Sequence, residues 1–278
     1  MLPAGADPVR VLHVSDLHLV PGQRRRIAWV RNLASLAPDL VINTGDNMAH
    51  DRALPAALEA LAPLLDYPGA FVMGSNDYYA PVPKNPARYL RPRGAIRQPS
   101  APPLPGPELA AALRAHGWRD LTNRRDQVHL PGLRVDLVGV DDPHLDRDAL
   151  PEPHALPDER AAAPPSSAVP LLRLGVTHAP YLRVLHGMRA DGADLVLAGH
   201  THGGQLCVPG YGALVTNCDL DTARAKGLHG WPGPRPDKSG GEESIWLHVS
   251  AGLGTSPYTP VRFACRPEAT LLTLVART

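Results

Sequence analysis

Aromatic residues are scarce in this chain, at 5% of the total, and only two of them are phenylalanine. Charge of one sign is missing as well. Lys and Arg number 28 against 27 Asp and Glu, for a formal net charge of +1. Nothing in that balance draws the chain to nucleic acid or to an anionic membrane. A nuclease needs a basic stripe with exposed aromatics, so stable nucleic-acid binding is not expected. The three cysteines, Cys207, Cys218 and Cys265, are odd in number and lack CxxC spacing. That excludes a disulfide framework and a zinc knuckle, and a reducing cytoplasm is the expected location. No apolar run follows "MLPAGADPVR", and none later approaches the roughly 18 apolar residues of a membrane span, so no transmembrane segment is expected.

Proline, by contrast, is abundant, with 32 residues, many of them clustered. The proline-rich stretches near 80–107 and 148–170 cannot hold a strand interior or a long helix. They read as loops inserted into one domain spanning 1–278, and a Gly/Pro/charged stretch near 226–243 reads as a third loop. With 278 residues, 44% of them hydrophobic, the chain can bury one large core.

Between the loops the pattern alternates. "VRVLHVSD", "DLVINTGD" and "GAFVMGS" read as strands, and "RRRIAWVRNLASLA" and "LPAALEALAPLL" have helical apolar spacing. Strand–helix–strand–helix–strand predicts a mostly parallel sheet with helices on its faces. The later half adds "LRVDLVGVDD", "LLRLGVTH", "ADLVLAGHTH", "GALVTN", "SIWLHVSAGLG" and "ATLLTLVA", enough for a second sheet packed on the first.

Metal-type residues recur where these strands end. Asp16 and His18 stand two apart in "SDLHL", so one carboxylate and one imidazole can face the same ion. Asp46 follows a glycine in "TGDN", His178 ends "VTH", and His200 and His202 are again two apart in "AGHTHGGQ". Open α/β sheets bind ligands outside the carboxyl ends of their strands. Any one of these residues alone reads as a helix cap or a core histidine; two aspartates and four histidines, all at strand ends, read as a site.

In order, "DLH", "GDN", "GSND", "THAP" and "GHTHGG" resemble the motifs of the calcineurin-like metallophosphoesterases: DxH, GD, GNH(D/E), a lone histidine and GHxH. The tail "SAGLGTSPYTPVRFACRPEATLLTL" is similar to that of the bacterial YkuE-type phosphoesterases. The resemblance implies an α/β fold, a four-layer α/β/β/α sandwich of two mixed sheets flanked by helices. It also implies two divalent or mixed-valence transition metal ions. Asp16, His18 and His202 would hold one, His178 and His200 the other, with Asp46 shared. Imidazole and carboxylate donors favour Mn, Fe or Zn over Mg or Ca. In such centres a hydroxide between cations about 3.5–4 Å apart attacks phosphorus in line. The implied substrate is a phosphorylated small molecule or a lipid-linked phosphoester; a nuclease and a non-catalytic module on the same fold are the alternatives.

One motif departs from the pattern. Where the family has Gly-Asn-His-Asp, this chain has Gly74, Ser75, Asn76 and Asp77. Either Ser75 is a weak metal or phosphate contact while Asn76 bonds the phosphate, or Asn76 supplies the amide oxygen ligand itself. The second is favoured because an amide oxygen is the better hard donor. Neither provides a proton donor, so good leaving groups are expected to be preferred, and His144 or His50 is a candidate replacement acid. Tyr78, Tyr79 and Arg88 are candidate substrate contacts, and Asp77 is expected to fix the turn.

Overall fold

The computed structural model describes residue 2 and residues 6–83, 101–152 and 169–276. The first half holds β1 (Val9–Val14), α1 (Arg24–Asn32), β2 (Leu40–Asn43), α2 (Leu54–Leu61), β3 (Gly69–Phe71), the single turn α3 (Ser75–Tyr78), α4 (Gly106–Ala115) and β4 (Arg119–Asp120). The second half holds β5 (Arg124–Leu130), β6 (Leu133–Gly139), β7 (Leu171–Thr177), α5 (Leu182–Ala190), β8 (Leu195–Ala198), β9 (Cys207–Val208), β10 (Gly212–Ala213), β11 (Gly227–Trp231), β12 (Ile245–Val249) and β13 (Thr270–Leu274).

Two large sheets result, in the orders β13-β1-β2-β3-β4 and β11-β12-β8-β7-β6-β5, with β9 and β10 forming a separate hairpin. β1 to β4 run parallel, as do β6, β7, β8 and β12, while β13, β11 and β5 pair antiparallel at the edges. Strand alternation sorts the side chains into layers. Val9 and Val11 of β1 join Leu40 and Ile42 against Leu137, Leu174, Val176 and Leu197 between the sheets. Leu12 and Val14, on the other face of β1, pack with Val30 of α1, Leu61 of α2 and Leu113 of α4. On the far side, Val196, Leu247 and Val249 face Val184, Leu185 and Met188 of α5. Each such side chain stabilises the fold by about 1.5–3 kcal/mol when taken out of water. The result is a helix–sheet–sheet–helix sandwich, as the sequence implies.

The helices follow their apolar spacing. Ile27 and Val30 of α1 are buried while Arg24 and Arg25 stay in water, and α2 starts with Pro55 in its first turn, where a missing N–H costs nothing. Three differences from the sequence reading stand out. Gly227–Trp231, inside the stretch read as a loop near 226–243, is β11, paired along β12. Only Gly212–Ala213 of "GALVTN" is strand. α4, α5 and β5 were not anticipated; β5 alternates exposed charge with burial, as an edge strand does. Among the described residues, no helix is long and apolar enough to cross a membrane.

Candidate metal centre

The parallel strands of both sheets deliver their carboxyl ends to one place. Asp16 and His18 follow β1, Asp46 follows β2, His178 follows β7, and His200 and His202 follow β8. Five of these six residues have left-handed backbones: Asp16 (φ 52), His18 (φ 41), Asp46 (φ 57), His200 (φ 69) and His202 (φ 50). Each costs on the order of 1–2 kcal/mol in a residue with a Cβ, and such strain gathers at functional sites. The sharp reversals turn these side chains back across the strand ends. Gly45 (φ 90) lets the β2 turn lie directly on the Gly74 backbone, where a Cβ would collide.

All six side chains converge. Asp46 Oδ2 lies 3.4 Å from His18 Nε2, and its Oδ1 lies 3.5 Å from His178 Nε2. His202 Nε2 is 3.1 Å from His18 Nε2 and 3.6 Å from Asp16 Oδ1. His200 Nδ1 is 3.3 Å from His178 Nε2. Ligand atoms of Asp16, His18 and His202, and of Asp16, Asp46 and His178, lie within 4.8 Å of one another.

The donors fit a cation. Asp16 Oδ1 is buried without a hydrogen-bond partner, a cost no apolar neighbour relieves. His178 Nδ1 donates to the Thr44 carbonyl at 2.7 Å and His200 Nε2 donates to the Asn217 carbonyl at 3.2 Å. In its neutral form each ring therefore turns its other nitrogen, with the lone pair, to the cluster. Burial holds His18 down to about 3, with His202 and His178 adding to it against the pull of Asp46. Burial likewise lowers His202 and His200. These rings are neutral, the state a metal ligand requires. His178 goes the other way, to about 9: burial lowers it, but Asp46, Asp142 and Asp16 together outweigh burial. The carboxylates thus attract positive charge to this point.

Surrounding groups fix the carboxylates. Asp77 accepts from the backbone N–H groups of Asp46 (2.8 Å), Asn47 (2.8 Å) and Gly74 (3.0 Å), tying the β2 and β3 turns together. Asn76 donates its backbone N–H to Asp46 Oδ1 and its amide to Asp46 Oδ2, both at 2.7 Å. Ser75 Oγ meets only the Asn76 amide among the hydrogen bonds of this turn, at 3.4 Å. Arg262, absent from the sequence reading, reaches His202 Nδ1 at 3.3 Å and anchors on the carbonyls of Ala251, Gly252 and Gly254.

A buried chain of hydrogen bonds runs from the inter-sheet core to Asp16. Thr44 donates to Ser15 Oγ at 2.6 Å, and Ser15 donates to Asp16 Oδ2. With its own proton committed, Thr44 accepts from His13 Nε2 at 3.0 Å, so His13 Nδ1 accepts from His248 Nδ1 at 2.8 Å. Both rings are neutral in the fold: burial, with His248 adding, holds His13 well below its ordinary range, and burial, with His229 adding, holds His248 down to about 4. On unfolding, each regains a value near 6.5 and takes up the proton that the fold refuses. The stability that these two rings contribute is therefore complete above about pH 6.5 and declines as pH falls towards 4, with about 3 kcal/mol from His248 alone. Urea midpoints measured across that window should drop more steeply for the native chain than for His248→Gln.

The other candidates separate. His144 is buried, its ring centroid 4.4 Å from that of His200 and its Nδ1 3.1 Å from the Tyr181 hydroxyl. His50 lies at the surface, paired with Asp51 at 2.6 Å, and is not drawn into the cluster. Tyr78 gives its hydroxyl to Asp141 at 2.7 Å beneath Arg147, a packing arrangement; Tyr79 bridges to Pro103 beside it. Arg88 lies outside the described residues. Asp142, which the sequence reading passed over, is fully buried with Oδ2 unpartnered, and burial, with Asp46 and Asp141 adding against His178, pushes its carboxyl up to about 7. The doubled aspartate ending "GVDD" was the available signal.

Two carboxylates and four imidazoles gathered at the strand ends of two facing sheets make a candidate metal centre. Residues 9–204 match the family described as calcineurin-like phosphoesterase, so the chain belongs to that family and is a metal-dependent phosphoesterase. It is similar to the phosphodiesterase YaeI of Escherichia coli, 27% identical over 280 residues that span 97% of this chain and 83% of that protein. It is also similar to the uncharacterized protein YpbG of Bacillus subtilis, 26% identical over 276 residues, covering 97% and 82% of the two chains. The UDP-2,3-diacylglucosamine pyrophosphatase LpxG of Chlamydia trachomatis is 25% identical over 304 residues, covering 95% and 83%.

Proposed function

We propose that the chain hydrolyses phosphodiester or pyrophosphate bonds with two cations: Asp16, His18 and His202 hold one, His178, His200 and Asn76 the other, and Asp46 is shared. The observation that carries this reading is Asp46 itself, which turns one oxygen to His18 and the other to His178. Mn, Fe or Zn held by these residues would supply Lewis-acid polarisation of the phosphoryl oxygens and a hydroxide nucleophile at neutral pH. Asn76 steadies Asp46 through its backbone N–H, and half a turn of its amide exchanges nitrogen for oxygen at the same spot. That favours Asn76 over Ser75 as the ligand. His144, its ring tilted beside that of His200, gives the leaving group its proton, the task the Gly74–Asp77 turn leaves undone. The substrate is a phosphorylated small molecule or a lipid-linked phosphoester, in keeping with the names of YaeI and LpxG.

This division of labour has a kinetic signature. The metal-loaded protein should turn over aryl diesters and pyrophosphates faster than alkyl monoesters. His144→Ala should lose about 10²–10⁴-fold on alkyl leaving groups and little on p-nitrophenyl esters, whose leaving group needs no proton. Equal losses on both classes contradict the role of His144, and equal turnover of both by the native chain contradicts the preference.

A further inference from the structure

The strand β8 turn that carries His200 and His202 runs on into a surface of unusual composition. From Gln205 to Asn217, and again from Ala251 to Val261, there is no Asp, Glu, Lys or Arg. These two segments and Phe263 hold seven of the twelve exposed large apolar side chains among the described residues, so the exposure is concentrated rather than scattered. Single exposed apolar residues are ordinary; contiguous ones mark a binding surface.

The segments are held together as one face. Leu206 bridges to Phe263, Cys207 N–H donates to the Phe263 carbonyl at 2.9 Å, and Phe263 N–H donates to the Gln205 carbonyl at 3.0 Å. Alternation buries Cys207 and turns Leu206 (52% exposed) and Val208 (43%) outward. The register pairing Cys207 with Ala213 carries Leu214 (56%) alongside Leu206. Gln205 holds the second segment by the carbonyls of Thr259 and Val261, and Tyr211 (75% exposed) and Tyr258 (52%) bring amphipathic rings to it. The face adjoins the metal centre: Arg262, next to Phe263, touches His202, whose side chain is 14% exposed. Lys226, exposed, runs its alkyl stem past Gly203 at the same edge.

We infer that this face is a lipid-docking surface that seats the acyl chains of an amphiphilic phosphoester while its head group reaches the metal centre; the second half rests on the phosphoesterase reading. An apolar face with two tyrosines, and with Lys226 at its edge, matches a membrane interface, where apolar side chains sink among acyl chains and amphipathic rings sit at head-group level. A protein-binding hot spot draws on tryptophan and arginine as well as tyrosine; of these, the two segments expose only Tyr211 and Tyr258.

The test is flotation of the purified chain with vesicles of phosphatidylcholine, alone and with phosphatidylglycerol. The native chain should float with the vesicles, more so with the anionic lipid. Leu206→Asp with Phe263→Asp should cut the partition about tenfold or more, since each change puts a charge in place of a large exposed apolar side chain of this face. Tyr211→Ser with Val261→Asp serves as a second variant, and thermal melting shows that both fold. A native chain that stays in solution with both compositions, or variants that float as well as the native chain, overturns the proposal. So does a dimer in sedimentation that the variants abolish, because a second copy would then be the occupant. Hydrolysis of bis-p-nitrophenyl phosphate by the same preparation reports separately on the phosphoesterase reading.

Discussion

Replacing Asp46 by alanine should lower kcat/KM for any phosphoester by about 10³-fold or more and cut the bound metal per chain at the same time. Its two oxygens address both halves of the cluster, one facing His18 and the other His178. Removing a single preorganised electrostatic partner at a reaction centre costs about 10²–10³ in rate, and on the two-cation reading proposed above the loss at Asp46 is larger. Burial raises the Asp46 carboxyl, but His178 and His18 outweigh burial and hold it low, so it is ionised and ready as a ligand. Asp46→Asn keeps the volume and loses the charge; it should show the same loss of metal with a native melting curve. Activity assays paired with elemental analysis of both variants check this. An Asp46→Ala protein that keeps its metal and its rate refutes the shared role.

Asp77→Ala should be the most destabilising single change at the site. Three buried backbone N–H groups, from Asp46, Asn47 and Gly74, lose their acceptor together. An unsatisfied buried donor costs about 1–3 kcal/mol. With some relief from entering water, the loss should reach about 3–5 kcal/mol, or on the order of 10 °C in Tm for a chain of this size. Asp77→Asn retains one carboxyl-derived oxygen and should fall between. Because Asp77 holds the Asp46 turn, activity should fall with stability, and thermal melts with parallel assays measure both. If Asp77→Ala melts with the native chain, the three hydrogen bonds do not matter.

Much of this site was legible because its chemistry is local. Asp16 and His18, or His200 and His202, stand two apart in the sequence and end an apolar run, so motif and strand end arrive together. The groups that the sequence reading missed reach the site by tertiary placement. Asn217 sits past a hairpin that sequence pattern merges into one strand, and Arg262 comes from a segment with no periodicity. His13 hides in plain view: its position in β1 points it between the sheets, but its partner His248 is set only by how the sheets pack. The left-handed backbones at Asp16, His18, Asp46, His200 and His202 are likewise only faintly marked, because Asp and His adopt a positive φ more often than most residues but far less plainly than glycine. The same limit explains α4, whose start at Gly106 and Pro107 lies against a proline-rich run and reads as its end.

Titrating the metal-free protein with Mn²⁺, Fe²⁺ or Zn²⁺ while following phosphodiester hydrolysis tests the central claim most directly. The account predicts that activity rises to a plateau at two ions per chain and that a chelator abolishes it. A plateau at one ion, or hydrolysis that persists unchanged in chelator, would contradict a shared two-cation centre built on Asp46.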